Sequence, residues 1–409
     1  MSVVVQKYGG TSVGSVERIQ HVADRIIKTV NSGKQVVAVV SAMGKSTDQL
    51  VELAQQISKK PSKREMDMLL TTGEQISISL LTMALQQRGH EAVSLTGWQA
   101  GMMTEEIHGN ARITEIKPER IEKHLESGKI VIVAGFQGVS DTGEITTLGR
   151  GGSDTTAVAL AAGLSAERCD IYTDVTGVFT TDPRFVKDAR KLLSISYDEM
   201  LEMANLGAGV LHPRAVEFAK NHHVKLMVAS SMVEEEGTLI EEEVSMEKNL
   251  IVRGIAFEND VTKVTIAGLP NELTTLSTVF TLLSEAGVNV DIIIQNQSSK
   301  GTTNISFSIN GAALEEVLQL LNMNQESLKF EDVYHEEDLA KVSIIGSGMV
   351  SNPGVAATMF QVLSESDVMV KMVSTSEIKV SAVVNETSMI QAVEALHRAF
   401  ELEEVALTV

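Results

Sequence analysis

Val3-Val4-Val5-Gln6-Lys7-Tyr8-Gly9-Gly10-Thr11-Ser12 decides the fold, because an apolar β-branched run leads straight into a lysine and two glycines. β-Branched residues favour extended backbone, and the glycine pair lets the chain turn with its N–H groups exposed. Lys7 puts a positive charge at the strand's end, which suits the turn to phosphate. Ser15 supplies a helix cap, and Val16, Ile19, Val22, Ala23, Ile26, Ile27 and Val30 recur behind it at helical spacing. Strand, turn and helix form one α/β unit. Such turns also occur in α/β proteins that bind no phosphate, so this reading needs support from elsewhere in the chain. Two familiar nucleotide signatures fail. Gly44-Lys45-Ser46 ends like a P-loop, but Val39 stands where its first glycine belongs, and Thr11 breaks G-x-G-x-x-G after Gly9.

Outward from this unit, strand-like runs alternate with helical ones to about residue 245: Val36–Val40, Ile130–Ala134, Ile171–Thr173 and Val224–Ala229 are short, apolar and bounded by polar residues or glycine. The pattern predicts an open, mostly parallel sheet covered by helices, with ligands at the carboxyl ends of its strands. Beyond residue 250 the chain repeats itself at an offset of about 80 residues. Lys263-Val264-Thr265-Ile266-Ala267-Gly268 matches Lys341-Val342-Ser343-Ile344-Ile345-Gly346. Val279-Phe280 and Leu283 match Met359-Phe360 and Leu363, Asn289-Val290 matches Met369-Val370, and Asn304-Ile305-Ser306 matches Lys379-Val380-Ser381. Two copies predict paired small α+β domains with a groove for a small ligand.

A chain of 409 residues with 43% apolar content has room for two or three ordinary cores. The formal net charge of −20 argues against nucleic acid and anionic membrane as partners. Glu234, Glu235, Glu236, Glu241, Glu242 and Glu243 read as a solvated connector rather than a metal site. Cys169 is the single cysteine, which excludes an internal disulfide and fits a reducing compartment. With no run of 18 or more apolar residues, the expectation is a soluble cytoplasmic protein.

Three further stretches carry chemistry. Gly143-Glu144-Ile145-Thr146-Thr147-Leu148-Gly149-Arg150-Gly151-Gly152-Ser153-Asp154 is a glycine-rich turn feeding an alanine-rich helix. The helix start after Ser153 offers N–H groups to an anion, Arg150 can grip a carboxylate at two points, and Asp154 is placed to hold magnesium. The bland alternative is a capped helix with Arg150 and Asp154 paired to each other. Tyr172-Thr173-Asp174-Val175-Thr176-Gly177-Val178-Phe179-Thr180-Thr181-Asp182-Pro183-Arg184 follows a strand and either edges a nucleotide, with Arg184 on phosphate, or merely turns the chain at Asp-Pro. Ser41 and Thr47 follow the second strand, and Glu74 either pairs with a ligand ammonium or is an exposed helix-start residue.

Taken together, K-x-G-G-T-S at 7–12, T-G-E at 72–74, T-L-G-R-G-G-S-D at 147–154 and T-D-V-x-G-V-x-T-x-D-P-R at 173–184 resemble the aspartate kinases, over nearly the whole chain. The resemblance implies the amino-acid-kinase fold over 1–245 and two tandem ACT domains, 250–335 and 336–409, with a strand near 250–257 pairing with the second. It implies transfer of a phosphoryl group from ATP, with Mg2+, to the side-chain carboxylate of aspartate. Lys7, Tyr8, Gly9, Gly10, Thr173, Asp174, Phe179, Asp182 and Arg184 would take ATP. Ser41, Thr47, Glu74, Arg150, Gly151, Gly152 and Ser153 would take aspartate. Lys7, Arg150 and Asp154 would be catalytic, with Asp154 on the metal. In the tail, Asn289, Val290, Asp291, Gln295, Met369 and Val370 would line a site for a feedback inhibitor. Lysine, threonine or both fit, and charge matching with Asp291 favours lysine, as in the lysine-sensitive monofunctional members.

The family often reads G-A-K-V-L-H-P where this chain has Gly207-Ala208-Gly209-Val210-Leu211-His212-Pro213, so a phosphate-side lysine is missing and Lys187 or Arg214 is a candidate replacement. His108, His212, His222 and His223 lie outside the main motifs. A homo-oligomer is implied, or an assembly with a shorter regulatory chain started at Met246. Two other readings are a kinase of the same fold acting on glutamate, uridylate or carbamate, and an amino-acid-binding regulator with an inactive kinase part.

Overall fold

β1 (Val3–Tyr8) becomes a central strand because its valines are buried on both faces of the sheet. The computed structural model describes residues 2–206, 209–242, 251–297 and 301–403. Met246, Glu243, Gly207, Ala208, Ser298 and Ser299 lie outside the described residues. The chain forms two compact units, one of Met1–Phe179, Lys191–Asn205 and Gly209–Lys248, the other of Thr180–Arg190, Leu206–Ala208 and Asn249–Val409.

In the first unit the strands after β1 are β2 (Gln35–Val40), β3 (Ala92–Leu95), β4 (Met102–Thr104), β5 (Ile113–Ile116), β6 (Ile130–Ala134), β7 (Gln137–Val139), β8 (Ile145–Thr147), β9 (Arg168–Thr173), β10 (Ser194–Ser196), β11 (Leu226–Ser230) and β12 (Thr238–Glu241). Eight of them form one sheet in the order β10-β12-β11-β9-β1-β2-β6-β3, parallel throughout except for β11 with β12. β5-β4-β7-β8 form a smaller sheet. The helices are α1 (Val16–Asn31), α2 (Ser46–Ile57), α3 (Lys63–Gln87), α4 (Glu119–Glu126), α5 (Gly152–Gly163), α6 (Tyr197–Asn205) and α7 (Pro213–Asn221). Ser15 caps α1, its side chain accepting from Arg18 N–H at 3.3 Å. One face of α1 (Ile19, Val22, Ala23, Ile26) and of α3 (Ile78, Leu81, Leu85) packs on Val36, Ala38, Val40 and Ile132 of the sheet. α3 is long and apolar enough by length and composition to cross a membrane, yet half of that window is buried in the protein, as in a core helix.

The second unit holds β13 (Gly254–Pro270), β14 (Ile293–Gln297), β15 (Thr302–Asn310), β16 (Asp332–Ile345), β17 (Val370–Thr375) and β18 (Lys379–Asn385) in one antiparallel sheet, ordered β14-β15-β13-β16-β18-β17. Its helices are α8 (Thr275–Glu285), α9 (Leu314–Met323), α10 (Gln325–Leu328), α11 (Val355–Glu365) and α12 (Met389–Ala399). The repeat has a structural counterpart: each copy gives a β-α-β-β-α run with its own core, Val264, Val279, Leu283 and Phe307 in the first, Val342, Met359, Leu363 and Ala382 in the second. The start of β13 crosses over, Gly254–Glu258 pairing with Lys341–Ile345. Val186, from the segment that returns to this unit, joins the second core.

Candidate active site

The turn after β1 is held between two neighbouring strand ends. Gly9 N–H donates to Tyr172 O at 3.4 Å, and Gly44 N–H donates to Gly10 O at 3.0 Å. A Cβ on Gly10 would lie 2.9 Å from Ala42 O, so the turns after β1 and β2 pass too close for a side chain. Ser12 Oγ donates to Ser231 Oγ at 2.8 Å, which ties the same turn to the end of β11. Lys7 leaves the strand towards α5 and its Nζ lies 2.6 Å from Asp154 Oδ1, each side chain only 12% exposed. That oxygen is buried and makes no hydrogen bond beyond the ion pair. The alternative in which Asp154 pairs with Arg150 therefore fails, because Lys7 holds Asp154 and Arg150 stays exposed.

α5 starts one residue before the expected cap. Gly151 occupies the cap position at φ +68, a left-handed backbone that favours glycine, and Ser153 is already the second helical residue. A Cβ on Gly151 would lie 2.2 Å from His212 Cβ and Cγ, so the turn is built against that ring. Burial pushes the His212 imidazole below its usual range. Beside it, Phe136 follows β6 at φ +70, a strained conformation for a bulky residue, and its N–H donates to Thr156 Oγ1 at 3.1 Å. A Cβ on Gly135 would lie 2.7 Å from Ser153 Oγ, and one on Gly152 would lie 2.9 Å from Phe136 Cδ2.

Glu74 is no helix-start residue. It sits in the interior of α3, where Gly73 lets the helix approach Ala42, and it is 3% exposed. One carboxylate oxygen accepts from Ala42 N–H at 3.1 Å, while Oε2 is buried without a partner. Burial raises its pKa from 4.5 to about 7. Ser41 and Thr47 stand half-buried at the end of β2 and the start of α2.

The profile of the amino acid kinase family matches residues 2–230, and an ACT domain profile matches 342–400. The aspartokinase of Bacillus sp. (strain MGA3) is 67% identical over 407 residues, 100% of this chain and 99% of that one. Aspartokinase 2 of Bacillus subtilis (strain 168) is 66% identical over 404 residues, 99% of each chain. This chain belongs to the aspartokinases. E. coli aspartokinase III, solved in complex with aspartate and ADP (R-state), matches with a TM-score of 0.81 at 28% identity, over 97% of this chain and 99% of that one. Its complex with lysine and aspartate (T-state) gives 0.77 at 28% identity, with the same coverage.

Several expectations for this aspartokinase change. Tyr8 offers no side chain to a nucleotide: its ring is fully buried and stacks on Tyr172 at 5.0 Å, because alternation along β1 turns it into the core. Thr173 and Asp174 do follow β9, Thr173 half-buried with its hydroxyl on Asp174 Oδ1 at 3.1 Å, and Phe179 is half-buried further on. Asp182 and Arg184 belong to the second unit, where Arg184 Nη2 and Asp182 Oδ2 pair at 2.6 Å and hold the Asp182 carboxyl below its usual range. Lys187 lies in that unit too. Arg214 is committed to structure, its guanidinium donating to Leu148 O at 2.8 Å and Ala111 O at 2.6 Å. Gly209 has φ +64, a conformation suited to glycine.

In the tail, Asn289, Asp291, Gln295 and Met369 are exposed, and Val290 and Val370 are half-buried against the two cores. Asp291 already has a cationic partner within the tail. It pairs with Lys341, which is 7% exposed and also holds Glu258 at 2.8 Å. Gln295 donates to Thr303 Oγ1 at 3.2 Å. Residues the motifs did not single out also gather at the glycine turn: Asp67, His108, Asn110, Phe136 and His212 come from four separate loops or helices.

Proposed function

We propose that this aspartokinase transfers the γ-phosphoryl group of ATP to the side-chain carboxylate of L-aspartate, giving 4-phospho-L-aspartate, and that lysine inhibits it through the tandem tail. The observation that carries the reading is the ion pair of Lys7 and Asp154, set beside a glycine turn at the carboxyl edge of a parallel sheet. The acceptor needs no general base, since a carboxyl with a pKa near about 3.9 is ionised at pH 7. The obstacle is repulsion between two anions, and catalysis consists of holding them in line and spreading their charge. Lys7 neutralises charge on the transferred group, and the turn's N–H groups cradle the phosphates. Arg150, exposed and without an ion pair among the described residues, takes the α-carboxylate end of aspartate, and the unpartnered Oε2 of Glu74 takes its ammonium.

Magnesium fits Asp154, a lone buried carboxylate whose Oδ1 has no hydrogen bond beyond Lys7, because this ion commonly takes one or two carboxylates and fills its shell with phosphate oxygens and water. When bound, it supplies further neutralisation of phosphate charge. Lysine is supported by the lysine complex of the E. coli relative rather than by Asp291, which already pairs with Lys341. A homo-oligomer, or an assembly with a shorter chain from Met246, belongs to the same proposal, and native mass spectrometry reads it directly. The test of the reaction is ATP consumption with aspartate, glutamate or no acceptor, with the acyl phosphate trapped by hydroxylamine. Aspartate-dependent hydroxamate that falls on adding lysine is expected. Turnover with glutamate alone would overturn the acceptor, and turnover indifferent to lysine would overturn the regulation.

A further inference from the structure

The turn that carries Arg150 is closed by Gly152 N–H donating to Gly149 O at 3.0 Å and is held on one side by Phe136, Arg214 and His212. Gly149 and Gly151 have φ +76 and +68, and the arginine is exposed. On the other side its support is Asp67, a fully buried carboxylate on α3. Thr147 Oγ1, at the end of β8 and two residues before Gly149, donates to Asp67 Oδ1 at 2.6 Å. Gly109 N–H donates to both carboxylate oxygens at 3.1 Å, and His108 Nδ1 lies 2.8 Å from Oδ2. The loop gathered in this way is the one on which Gly149 rests, since a Cβ there would lie 2.8 Å from Asn110 Oδ1 and 3.2 Å from Gly109 O. Ala111 N–H in turn donates to Thr147 O at 2.9 Å.

Asp67 and Glu74 are seven residues apart on α3, two helical turns. They therefore lie about 10 Å apart along the axis and on the same side of the helix. One rigid helix thus reaches the end of β2 with Glu74 and the arginine-bearing turn with Asp67. We propose that Asp67 is a positioning residue for Arg150: by binding Thr147, His108 and Gly109 together it fixes the turn in the conformation that presents the guanidinium to the substrate, at a distance from Glu74 set by α3. The proposal rests on the reading that Arg150 takes a carboxylate of aspartate.

Steady-state kinetics on Asp67→Asn, Arg150→Ala and the double variant test it, with Thr147→Val and Thr147→Ser as variants that leave the buried acid in place. Asp67→Asn should raise KM for aspartate roughly 10- to 100-fold and leave KM for ATP within about threefold, because misplacement of a binding group costs on that scale. In the Arg150→Ala background the same substitution should add less than about threefold, since both changes remove one interaction. Thr147→Val should move KM for aspartate in the same direction, while Thr147→Ser, which keeps the hydroxyl, should restore it. If Asp67→Asn multiplies KM by the same factor in both backgrounds, or Thr147→Val matches wild type, the positioning role is overturned while the reading of Arg150 stands. If Arg150→Ala itself leaves aspartate unaffected, that reading falls and the proposal with it.

Discussion

Replacing Glu74 with glutamine should remove a pH-dependent weakness from the kinase unit. The Glu74 carboxyl is raised from 4.5 to about 7 by burial, against the opposing hydrogen bond from Ala42 N–H. A carboxyl held above its unfolded value binds its proton more tightly in the folded state. The stabilisation is full below pH 4.5 and is lost as pH rises through about 7. At about 1.36 kcal/mol per pH unit, the displacement from 4.5 to about 7 corresponds to about 3 kcal/mol lost by pH 8. E74Q has no such group. The difference in unfolding free energy between variant and wild type should therefore shift by about 3 kcal/mol in favour of the variant between pH 4.5 and pH 8. Urea unfolding at a series of pH values, followed by fluorescence of the single tryptophan, Trp98, reads the unit that contains Glu74. Saturating aspartate should protect wild type more strongly above pH 7 and E74Q little. Parallel stability curves for the two proteins would refute the reasoning, because Glu74 would then titrate as an ordinary surface acid.

Arg150→Ala should raise KM for aspartate by at least about tenfold with little change for ATP, and equal losses for both substrates would contradict its assignment. Gly151→Ala should abolish most activity, since it combines a left-handed backbone with a Cβ 2.2 Å from His212; His212→Gly should recover part of the loss, and no recovery would show that the contact is not the cause. Asp291→Asn should lower the melting temperature of the tail by leaving Lys341 with Glu258 alone, while lysine affinity measured by titration calorimetry changes less than about threefold. A complete loss of lysine binding would restore Asp291 as a ligand residue.

How much of this was legible in the sequence depends on how local each signal is. β1, the glycine pair and α1 were readable because a β-branched run, a serine cap and a helical period occupy adjacent residues. The strand at 130–134 was bounded by the same local rules, whereas the one read at 171–173 begins at Arg168, because its first residues include charged Arg168 and Asp170 rather than an apolar run. The tail's duplication needed only self-comparison. Strand alternation, which sets Lys7 and Tyr8 on opposite faces, already indicated that the Tyr8 side chain would pack into the core. The Thr-Thr-Gly before Glu74 looks like a break, but α3 runs through it because the missing side chain at Gly73 allows close approach to Ala42. Asp67 left no trace in the motifs: its partners are 41 and 80 residues away, and only the folded chain brings them together. The bond from Asp291 to Lys341 joins the two copies of the repeat, which pattern matching treats separately.

The central claim is that Lys7, beside Asp154 and the glycine pair, cancels the repulsion between the phosphates and the acceptor carboxylate. Aspartate-dependent ATP turnover of wild type and Lys7→Ala, both with near-native circular dichroism, measures it most directly. The account predicts that kcat of the variant falls by roughly 100- to 1,000-fold, as on removal of a transition-state donor. A variant that turns over within a few-fold of wild type would contradict it.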